Sequence, residues 1–599
     1  MRRSHLCFLA LLGGVSVTFA QSAPIVEDQI TVTATATVEP VRDVPTTVDV
    51  VTAQEITDRR VDQAIDHLRT VAGVDVVQSG SRGKATSLFL RGTNSSHTLV
   101  LWNGIELNDP YLGGFDWSTL ALDGVERVEV VKGPYSALYG SSALGGVVQL
   151  VTTAGNGTRG GHLRAEAGSN DFLRGGAAAR FALGGATFDL AGHLRRGEGE
   201  VDNDDYDGDE VDLVVDAPLG ESFRLGALVR SGSSEIGVPF DFTGAPSPDR
   251  RQSFDSLSLA VPFSFVGTRQ SFDVAIERTE TDLELRDPAD PFAASRAEAE
   301  RSRGRLASRF RVRESLAVTV GGDWDRQEVT SADAFGPGLE RERQEDWSLF
   351  GQLSWAPAAS RLRIDAGLRR DDNDVFGAET SLRAAVAWAP LAGLRLRAGY
   401  GEAFRAPSLA DLYYPGFGNP ELRPERSESM ELGLDGESGP IRYSVALFEN
   451  DLDNLIEFDF ATFLPMNLGR ARARGIEASA GWRTTLVDAT LAATWLDGEN
   501  LETGGPLLRR PREKSSLTLF VHPGRWTVGG VVRHVGSRTD FGDVDLDAYT
   551  ALDLSLSTRF GERWEPFVRV DNVTDEEYEE AAGFPAPGIA FAAGLDVRF

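Results

Sequence analysis

The last ten residues, Ala590–Phe599, alternate between two kinds of side chain. Phe591, Leu595, Val597 and Phe599 are apolar, and the residues between them are small or charged. Successive side chains of a β-strand point to opposite faces, so this pattern predicts a strand with one apolar and one polar face. An unpaired strand of this kind promotes aggregation in water. The pattern instead favours a strand that closes a barrel, with lipid outside and a polar lumen inside.

The same alternation recurs along residues 156–599. Apolar side chains occupy every second position in four segments, which are residues 362–368, 394–400, 517–521 and 552–556. A tilted membrane strand needs roughly 9–11 residues, and with one connection per strand this region can hold about 22 antiparallel strands. A soluble β-sandwich can show the same alternation. The length of the repeat and the terminal strand favour an all-β transmembrane barrel.

Residues 40–155 have a different pattern. Thr52 and Glu55 form a capping box, and the spacing of Val61, Ile65 and Leu68 predicts an amphipathic helix over residues 61–71. Short apolar runs predict strands at residues 87–90, 98–102, 125–131 and 147–151. We therefore expect an α/β domain. Because a barrel of this width would leave a large hole, we expect this domain to lie in the lumen as a plug.

Residues 1–20 have the features of a secretory signal peptide. Arg2 and Arg3 precede an apolar stretch, and a small-residue cleavage site ends at Ala20. Residues 21–39 are then a periplasmic segment ahead of the plug. The only cysteine, Cys7, lies in the leader, so we expect no disulfide, thiolate metal site or cysteine nucleophile in the mature chain. No later apolar run approaches the roughly 18 residues of a membrane helix.

The chain is strongly acidic, with a formal net charge of −30. This charge argues against a nucleic-acid binder, which would present a basic face. The acidity is explained either by solvated loops or by loops that bind divalent cations.

Three segments resemble the TonB-dependent outer-membrane receptors. The first resembles the TonB box and consists of Asp28, Gln29, Ile30, Thr31, Val32, Thr33 and Ala34. The second is the plug core, with the runs FLRGTNSSH at residues 89–97 and VERVEVVKGP at residues 125–134. The third is the C-terminal set, with DNVTDEEY at residues 571–578 followed by the terminal strand. An ordinary edge strand shows the same alternation as the first segment and is the alternative for it.

The resemblance implies a location in the outer membrane of a Gram-negative bacterium and active import. The TonB box would add as a β-strand to TonB, which works with its inner-membrane energising complex. Arg91, Glu126 and Glu129 would form ion pairs between plug and barrel, or alternatively stabilise the plug internally. Phe599 resembles the residue recognised by the barrel assembly machinery. The other expected partners are outer-membrane lipid and lipopolysaccharide, and the protein is expected to be a monomer that binds no nucleic acid.

Within the family, the run from Arg91 to His97 most resembles the vitamin B12 receptors. This implies cobalamin or a related corrinoid as the ligand, with a ferric siderophore or another metal chelate as the alternative. The ligand-binding plug loops would lie near residues 79–87 and 108–118, with the predicted contacts Ser81, Arg82, Asn108, Tyr111, Phe115 and Trp117. The second loop departs from the B12 pattern because it is more aromatic and more acidic. Its aromatic side chains would either stack on a planar ligand or be buried inside the plug.

The B12 receptors also hold calcium in acidic barrel loops, so the resemblance implies a calcium site here. The expected ligands are Asp202, Asp204, Asp205, Asp207, Asp209 and Asp241. Carboxylate oxygens suit a hard cation with six to eight ligands. The segment is not an EF-hand, because Gly208 at the sixth position would put Val214 at the twelfth. A solvated acidic turn remains the alternative.

Two other classes of protein, an enzyme and a passive porin, fit the sequence less well. His97 follows Ser95 and Ser96, but no Gly-x-Ser-x-Gly motif accompanies them, so we expect neither an enzyme nor a catalytic cofactor. A passive porin would need neither a plug nor a TonB box.

Overall fold

The computed structural model describes residues 31–32, 39–118, 120–152, 159–241, 244–357, 360–459 and 462–599. The predicted signal peptide, residues 1–20, lies outside these ranges. No helix among the described residues is both long enough and apolar enough to cross a bilayer.

The N-terminal part is an α/β domain. Its elements are β1 Thr31–Val32, β2 Glu39–Pro40, β3 Val48–Thr52, α1 Ala53–Arg59, α2 Ala64–Leu68, β4 Val74–Gln78, β5 Thr86–Leu90, β6 Thr98–Trp102, β7 Ile105–Glu106, β8 Val125–Lys132, α3 Ser136–Tyr139 and β9 Gly146–Thr152. A five-stranded sheet has the order β3-β8-β9-β6-β7, in which β6 and β9 are parallel. Strands β4 and β5 form a separate hairpin. The buried core lies around Trp102, Trp117 and Leu150.

The helices of this domain follow local sequence signals. The Thr52–Glu55 capping box is present at the start of α1. The second helix is shorter than the predicted range 61–71, because the preceding backbone is held extended. Gln63 forms a β-bridge with Ala121, and Ala64 N–H donates to the carbonyl of Leu120 at 2.9 Å.

Residues from Gly160 onward form a closed antiparallel barrel. The long strands are β10 Gly160–Gly168, β11 Leu173–Leu183, β12 Ala186–Gly197, β13 Tyr206–Leu219, β14 Phe223–Gly237, β15 Arg251–Val266, β16 Gln270–Arg286, β17 Ser295–Arg313, β18 Leu316–Asp333, β20 Glu342–Trp355, β21 Leu362–Asn373, β22 Gly377–Leu391, β23 Leu394–Arg405, β24 Glu425–Ser438, β25 Ile441–Asp459, β26 Leu464–Arg483, β27 Val487–Asn500, β28 Glu513–Val521, β29 Trp526–Val535, β32 Tyr549–Thr558, β33 Trp564–Asp571 and β36 Ala590–Arg598. The short elements between them are β19 Gly336–Pro337, α4 Leu409–Tyr413, β30 Arg538–Asp540, β31 Val544–Leu546, β34 Glu579–Ala581 and β35 Phe584–Pro585. The described chain thus contains the predicted 22-strand barrel.

The terminal strand closes the barrel as its pattern predicts. Strand β36 pairs with β33 on one side and with β10 on the other, from His162↔Arg598 to Gly168↔Ala592. Phe591 and Phe599 lie on the exposed outer face, whereas Asp596 is buried on the lumen side. Period-2 alternation therefore separates a lipid-facing surface from a polar interior.

The barrel connections differ at the two rims. Short turns such as Gly184–Gly185 lie at the rim where the chain enters the barrel, and longer connections such as residues 198–205 and 406–424 lie at the opposite rim. In outer-membrane barrels the short turns face the periplasm and the long loops face the outside. The plug fills the lumen between the two rims.

Candidate functional site: the plug and its contacts with the barrel

A buried cluster around Arg91 joins the plug to the barrel. Arg91 Nε and Nη2 donate to the two carboxylate oxygens of Glu477 at 2.9 and 3.0 Å, and Nη1 lies 2.7 Å from Glu431 Oε2. Lys132 Nζ lies 3.2 Å from Glu477 Oε2. These carboxylates raise the pKa of the Arg91 guanidinium above its ordinary value, against the opposing effect of burial. Arg91 therefore links plug and barrel, as the resemblance implied.

The two glutamates assigned with Arg91 lie elsewhere. Arg127 Nε donates to Glu129 Oε1 at 2.8 Å, because the two residues share one face of β8. Glu126 falls at a register shift between β8 and β9, where it lines a cavity and forms no ion pair with any residue that the structure describes. The described ion pair of Glu129 is thus inside the plug, and the assignment of Glu126 to a plug–barrel pair is wrong.

Other plug–barrel pairs were missed by the sequence. Arg60 pairs with Glu565 and Asp596, and Arg69 pairs with Glu580. In each pair the partners lie about 500 residues apart, and no local pattern announces such a contact.

A second buried group lies at Asp62 of the plug. Its Oδ1 lies 2.7 Å from Arg82, and its Oδ2 lies 3.9 Å from Arg174 and 3.8 Å from Arg195 on the barrel wall. Burial acts to raise the pKa of Asp62, but the three guanidinium groups hold that pKa well below its ordinary value.

The first outward plug loop is held by contacts of its own. Ser81 Oγ donates to Asp204 and accepts from the backbone N–H of Glu200 at 3.1 Å. Arg82 is engaged by Asp62, as described above. The predicted ligand contacts Ser81 and Arg82 therefore fix this loop in place, and Ser81 is buried.

The second outward plug loop is also largely structural. Asn108 bridges strand β6, because its Oδ1 accepts from Val100 N–H at 2.8 Å and its Nδ2 donates to the carbonyl of Thr98 at 3.0 Å. Trp117 is fully buried, with Phe115 packed edge-on at 5.2 Å. The prediction that Asn108 and Trp117 contact a ligand is corrected, since both side chains belong to the plug interior.

The tip of this loop carries an apolar side chain that no sequence pattern indicated. Leu112 is 55% exposed at a tight turn, where Gly113 N–H donates to the carbonyl of Asp109 at 2.7 Å. Burial raises the pKa of the Asp109 carboxyl to about 6. Tyr111 is half-buried against Leu339 and Leu409 of the barrel loops. Of the aromatic and aliphatic side chains of the second loop, Leu112 is exposed and Tyr111 and Phe115 are half-buried, so these three remain at least partly available to a ligand.

Exposed aromatic side chains are common on the long loops at the outer rim. Phe292 and Phe335 stack at 5.9 Å, and the other exposed rings are Phe417, Phe463 and Phe541. Aromatic rings and aliphatic tips with few polar groups are typical of sites for large organic ligands.

The predicted calcium ligands do not converge. Asp207 and Asp209 lie on the exposed face of β13, opposite Tyr206 and Gly208, and Asp202 is exposed in the preceding loop. Asp205 is paired with Arg251 at 2.7 and 2.8 Å. The remaining two predicted ligands, Asp204 and Asp241, also have other partners, Lys84 and the backbone N–H of Ala245. Among the described residues no group of three or more potential metal ligands is present, so these side chains do not fit a calcium ion.

A cavity of about 500 Å³ separates the plug from strands β10–β13 on the periplasmic side. Its lining includes Arg60, Asp123, Glu126, Arg174 and Arg598. Such charged walls favour water in the gap between plug and barrel.

The segment ahead of the plug includes part of the predicted TonB box. Thr31 and Val32 pair with Pro40 and Glu39 in a short antiparallel ladder. The other predicted TonB-box residues, Asp28–Ile30, Thr33 and Ala34, lie outside the described ranges.

A closed 22-strand barrel, filled by an α/β domain that buried ion pairs hold, defines the class of plugged outer-membrane receptors. The chain belongs to the TonB-dependent receptor family. Residues 40–147 match the family model for the TonB-dependent receptor plug domain, and residues 148–573 match the model for the TonB-dependent receptor-like β-barrel. The protein is therefore an outer-membrane protein of a Gram-negative bacterium.

Curated relatives align over almost the whole chain. The vitamin B12 transporter BtuB of Photobacterium profundum is 27% identical, with 92% of each chain covered. BtuB of Vibrio vulnificus is 26% identical, with 96% of this chain and 95% of the relative covered.

Solved structures share the fold. The siderophore receptor PirA from Acinetobacter baumannii has a TM-score of 0.80 at 17% identity, covering 92% of this chain and 98% of its own. The ferric enterobactin receptor PfeA from Pseudomonas aeruginosa has a TM-score of 0.80 at 18% identity, covering 93% and 100%.

Proposed function

We propose that this receptor imports cobalamin or a closely related corrinoid across the outer membrane. The family establishes nutrient import coupled to TonB, and the finer assignment of the substrate rests on one observation. The relatives named as vitamin B12 transporters align with more than nine-tenths of the chain and of their own length.

The outward face of the plug is compatible with such a ligand. A corrinoid is a large macrocycle with methyl groups as well as amides at its edge, and Leu112, Tyr111 and the exposed rings of the outer loops offer apolar surface to such a ligand. Ligand recognition then depends on the loop tips, since Asn108 and Trp117 maintain the plug.

Import requires no covalent chemistry in this protein. The ligand binds outside, and TonB recruits the N-terminal segment by strand addition. Force on that segment shifts part of the plug. A plug held by polar, hydrated contacts with the barrel wall can move without exposing a large apolar core.

The proposed assembly steps follow the same family pattern. The barrel assembly machinery recognises the C-terminal strand through Phe599, and lipid and lipopolysaccharide surround the outer wall. We expect the receptor to work as a monomer.

The siderophore receptors among the solved neighbours support a second candidate, a ferric siderophore. They match at 17–18% identity, which speaks for the fold and not for the ligand. The choice between the two is experimental.

The deciding experiment is equilibrium binding of cyanocobalamin to the purified, detergent-solubilised receptor, with ferric enterobactin as the comparison. Tight binding of cyanocobalamin alone supports the proposal. Binding of ferric enterobactin alone overturns the corrinoid assignment and leaves the receptor class intact. Uptake by cells then tests the coupling: deletion of residues 28–34 should abolish import and preserve binding, whereas deletion of the equally long segment 21–27 should preserve both.

A further inference from the structure

The ammonium group of Lys84 is enclosed by oxygen atoms of the outer barrel loops. Lys84 Nζ lies 3.1 Å from Asp204 Oδ1, 3.2 Å from the carbonyl oxygen of Asp205 and 2.6 Å from the carbonyl oxygen of Gly237. Lys84 and Asp204 are both about 4% exposed. An ammonium group has three N–H donors, and here it finds three acceptors.

The carboxylate of Asp204 is completed from the other side. Its Oδ2 accepts from Ser81 Oγ and, at 3.0 Å, from the backbone N–H of Glu200. Removing a buried carboxylate from water is unfavourable unless a cation and further donors surround it. Lys84 supplies that cation from the plug.

The three oxygens are of the type that a hard metal ion binds, although such an ion takes further ligands as well. One carboxylate and two backbone carbonyl oxygens are ligands that calcium accepts in protein loops. The ammonium therefore stands where the loops would otherwise present these oxygens to a divalent cation.

The choice of lysine at this point is informative. Of the 60 basic residues in the chain only three are lysines: Lys84, Lys132 and Lys514. An arginine fork suits two parallel carboxylate oxygens, whereas the compact ammonium suits oxygens that converge on one point. Arg251, which takes the two oxygens of Asp205 at 2.7 and 2.8 Å, illustrates the first case in the same loop.

We propose that Lys84 is a tethered cation that replaces a divalent metal ion and orders the β12–β13 loop and the end of β14 against the plug. These loops are then fixed without calcium, and their position is tied directly to the plug turn that carries Lys84. This role of Lys84 does not depend on which ligand the receptor imports.

The test is thermal unfolding and calcium titration calorimetry of the full-length receptor in detergent. For the wild-type protein we expect the same melting temperature in calcium and in chelator, and no bound calcium. For Lys84→Ala we expect a lower melting temperature in chelator, recovery on addition of calcium, and one calcium ion bound per chain. Magnesium should restore less, because it demands a smaller and more regular set of ligands.

Lys514→Ala is the matched control. Lys514 is also buried between plug and barrel, but the one hydrogen bond of its Nζ to a described residue goes to the carbonyl oxygen of Val74. This variant should lose stability without recovery in calcium. Lys84→Met keeps the length of the side chain and serves if the alanine variant does not fold.

Three results would overturn the proposal. They are calcium binding with a higher melting temperature in the wild-type protein, loss of stability in both Lys84 variants without any calcium response, and unchanged stability in both.

Discussion

Arg91 of the plug donates two hydrogen bonds to the carboxylate of Glu477 on the barrel, at 2.9 and 3.0 Å. Arg91→Ala removes both, but Glu477 keeps Lys132 and Glu431 keeps Arg397. We expect the free energy of unfolding to fall by about 3 kcal/mol, which is near the lower end of the 3–5 kcal/mol typical of a broken buried ion pair. Thermal unfolding measures this loss, and planar-bilayer recordings should register greater ion leakage around the loosened plug.

Arg474→Ala provides the control, because Arg474 lies on β26, the strand that carries Glu477. Its partner is Asp497, and both side chains are more than half exposed. Exposed pairs contribute little, so neither the melting temperature nor the leakage should change. Equal behaviour of the two variants would remove Arg91 from the contacts that seat the plug.

Two residues of the second outward plug loop allow ligand binding and folding to be tested separately. Leu112→Asp places a charge on the exposed tip, and we expect cyanocobalamin affinity to fall at least about tenfold, the equivalent of 1.4 kcal/mol, with an unchanged melting temperature. Trp117→Ala empties a buried site and should cost about 3–5 kcal/mol of stability. Calorimetric binding and thermal unfolding of both variants test this. A Leu112→Asp receptor that binds normally would exclude the loop tip from the site.

The barrel could be predicted from the sequence because its strands repeat one local pattern, the alternation of apolar and polar side chains. The positions of Phe591 and Asp596 in the sequence predict which face of the last strand contacts lipid. Individual contacts obey no such rule. From its place in a loop, Trp117 was predicted either to stack on a ligand or to be buried, and in the structure it is buried in the plug core.

The acidic segment makes the same point. Five carboxylates crowd residues 202–209, yet Asp207 and Asp209 face outward, and the cations that meet Asp204 and Asp205 come from Lys84 and Arg251. Partners this distant in the chain are brought together only by the tertiary fold.

Strand addition to TonB predicts sensitivity to proline. Val32→Pro removes a backbone donor inside the predicted TonB box and should reduce energy-dependent uptake strongly, because proline cannot donate to a β-ladder. Binding of cyanocobalamin should stay normal, since the outer face is untouched. Uptake by cells and binding by purified receptor are the two readouts. Val32→Ala, which retains the N–H, should transport, and undiminished uptake by the proline variant would move the TonB contact elsewhere.

The guanidinium groups around Asp62 predict an acid-sensitive plug. Because they hold the pKa of Asp62 below its ordinary value, the carboxylate stabilises the fold at neutral pH. This contribution is complete above the ordinary value of about 3.9 and is lost as pH falls through the lower folded pKa.

Asp62→Asn should therefore lower the melting temperature at pH 7 and flatten its decline below about pH 4. Melting curves from pH 3 to pH 7 measure this. Asp43→Asn, at an exposed side chain, should leave the decline as in the wild-type protein. An unchanged decline in the Asp62 variant would assign the acid sensitivity to other carboxylates.

The aromatic ring of Phe599 is expected to affect assembly of the receptor and not its stability. Phe599 and Phe591 are 63% and 65% exposed on the same strand, while the backbone of Phe599 pairs with Gly161 at 2.9 and 3.0 Å. Phe599→Ala keeps those backbone bonds, so the assembled receptor should melt normally but accumulate in smaller amounts. Phe591→Ala is the matched control and should accumulate normally. Quantitative immunoblots of outer membranes compare the two, and equal amounts would argue against recognition of Phe599.

The scarcity of lysine has a practical consequence. All three lysines are buried where the plug meets the barrel, at 4%, 2% and 9% exposure. A reagent that acylates primary amines should leave their side chains unmodified while the plug is seated. If TonB moves the plug, the same side chains should become accessible and react, so amine labelling of the native chain would report plug movement.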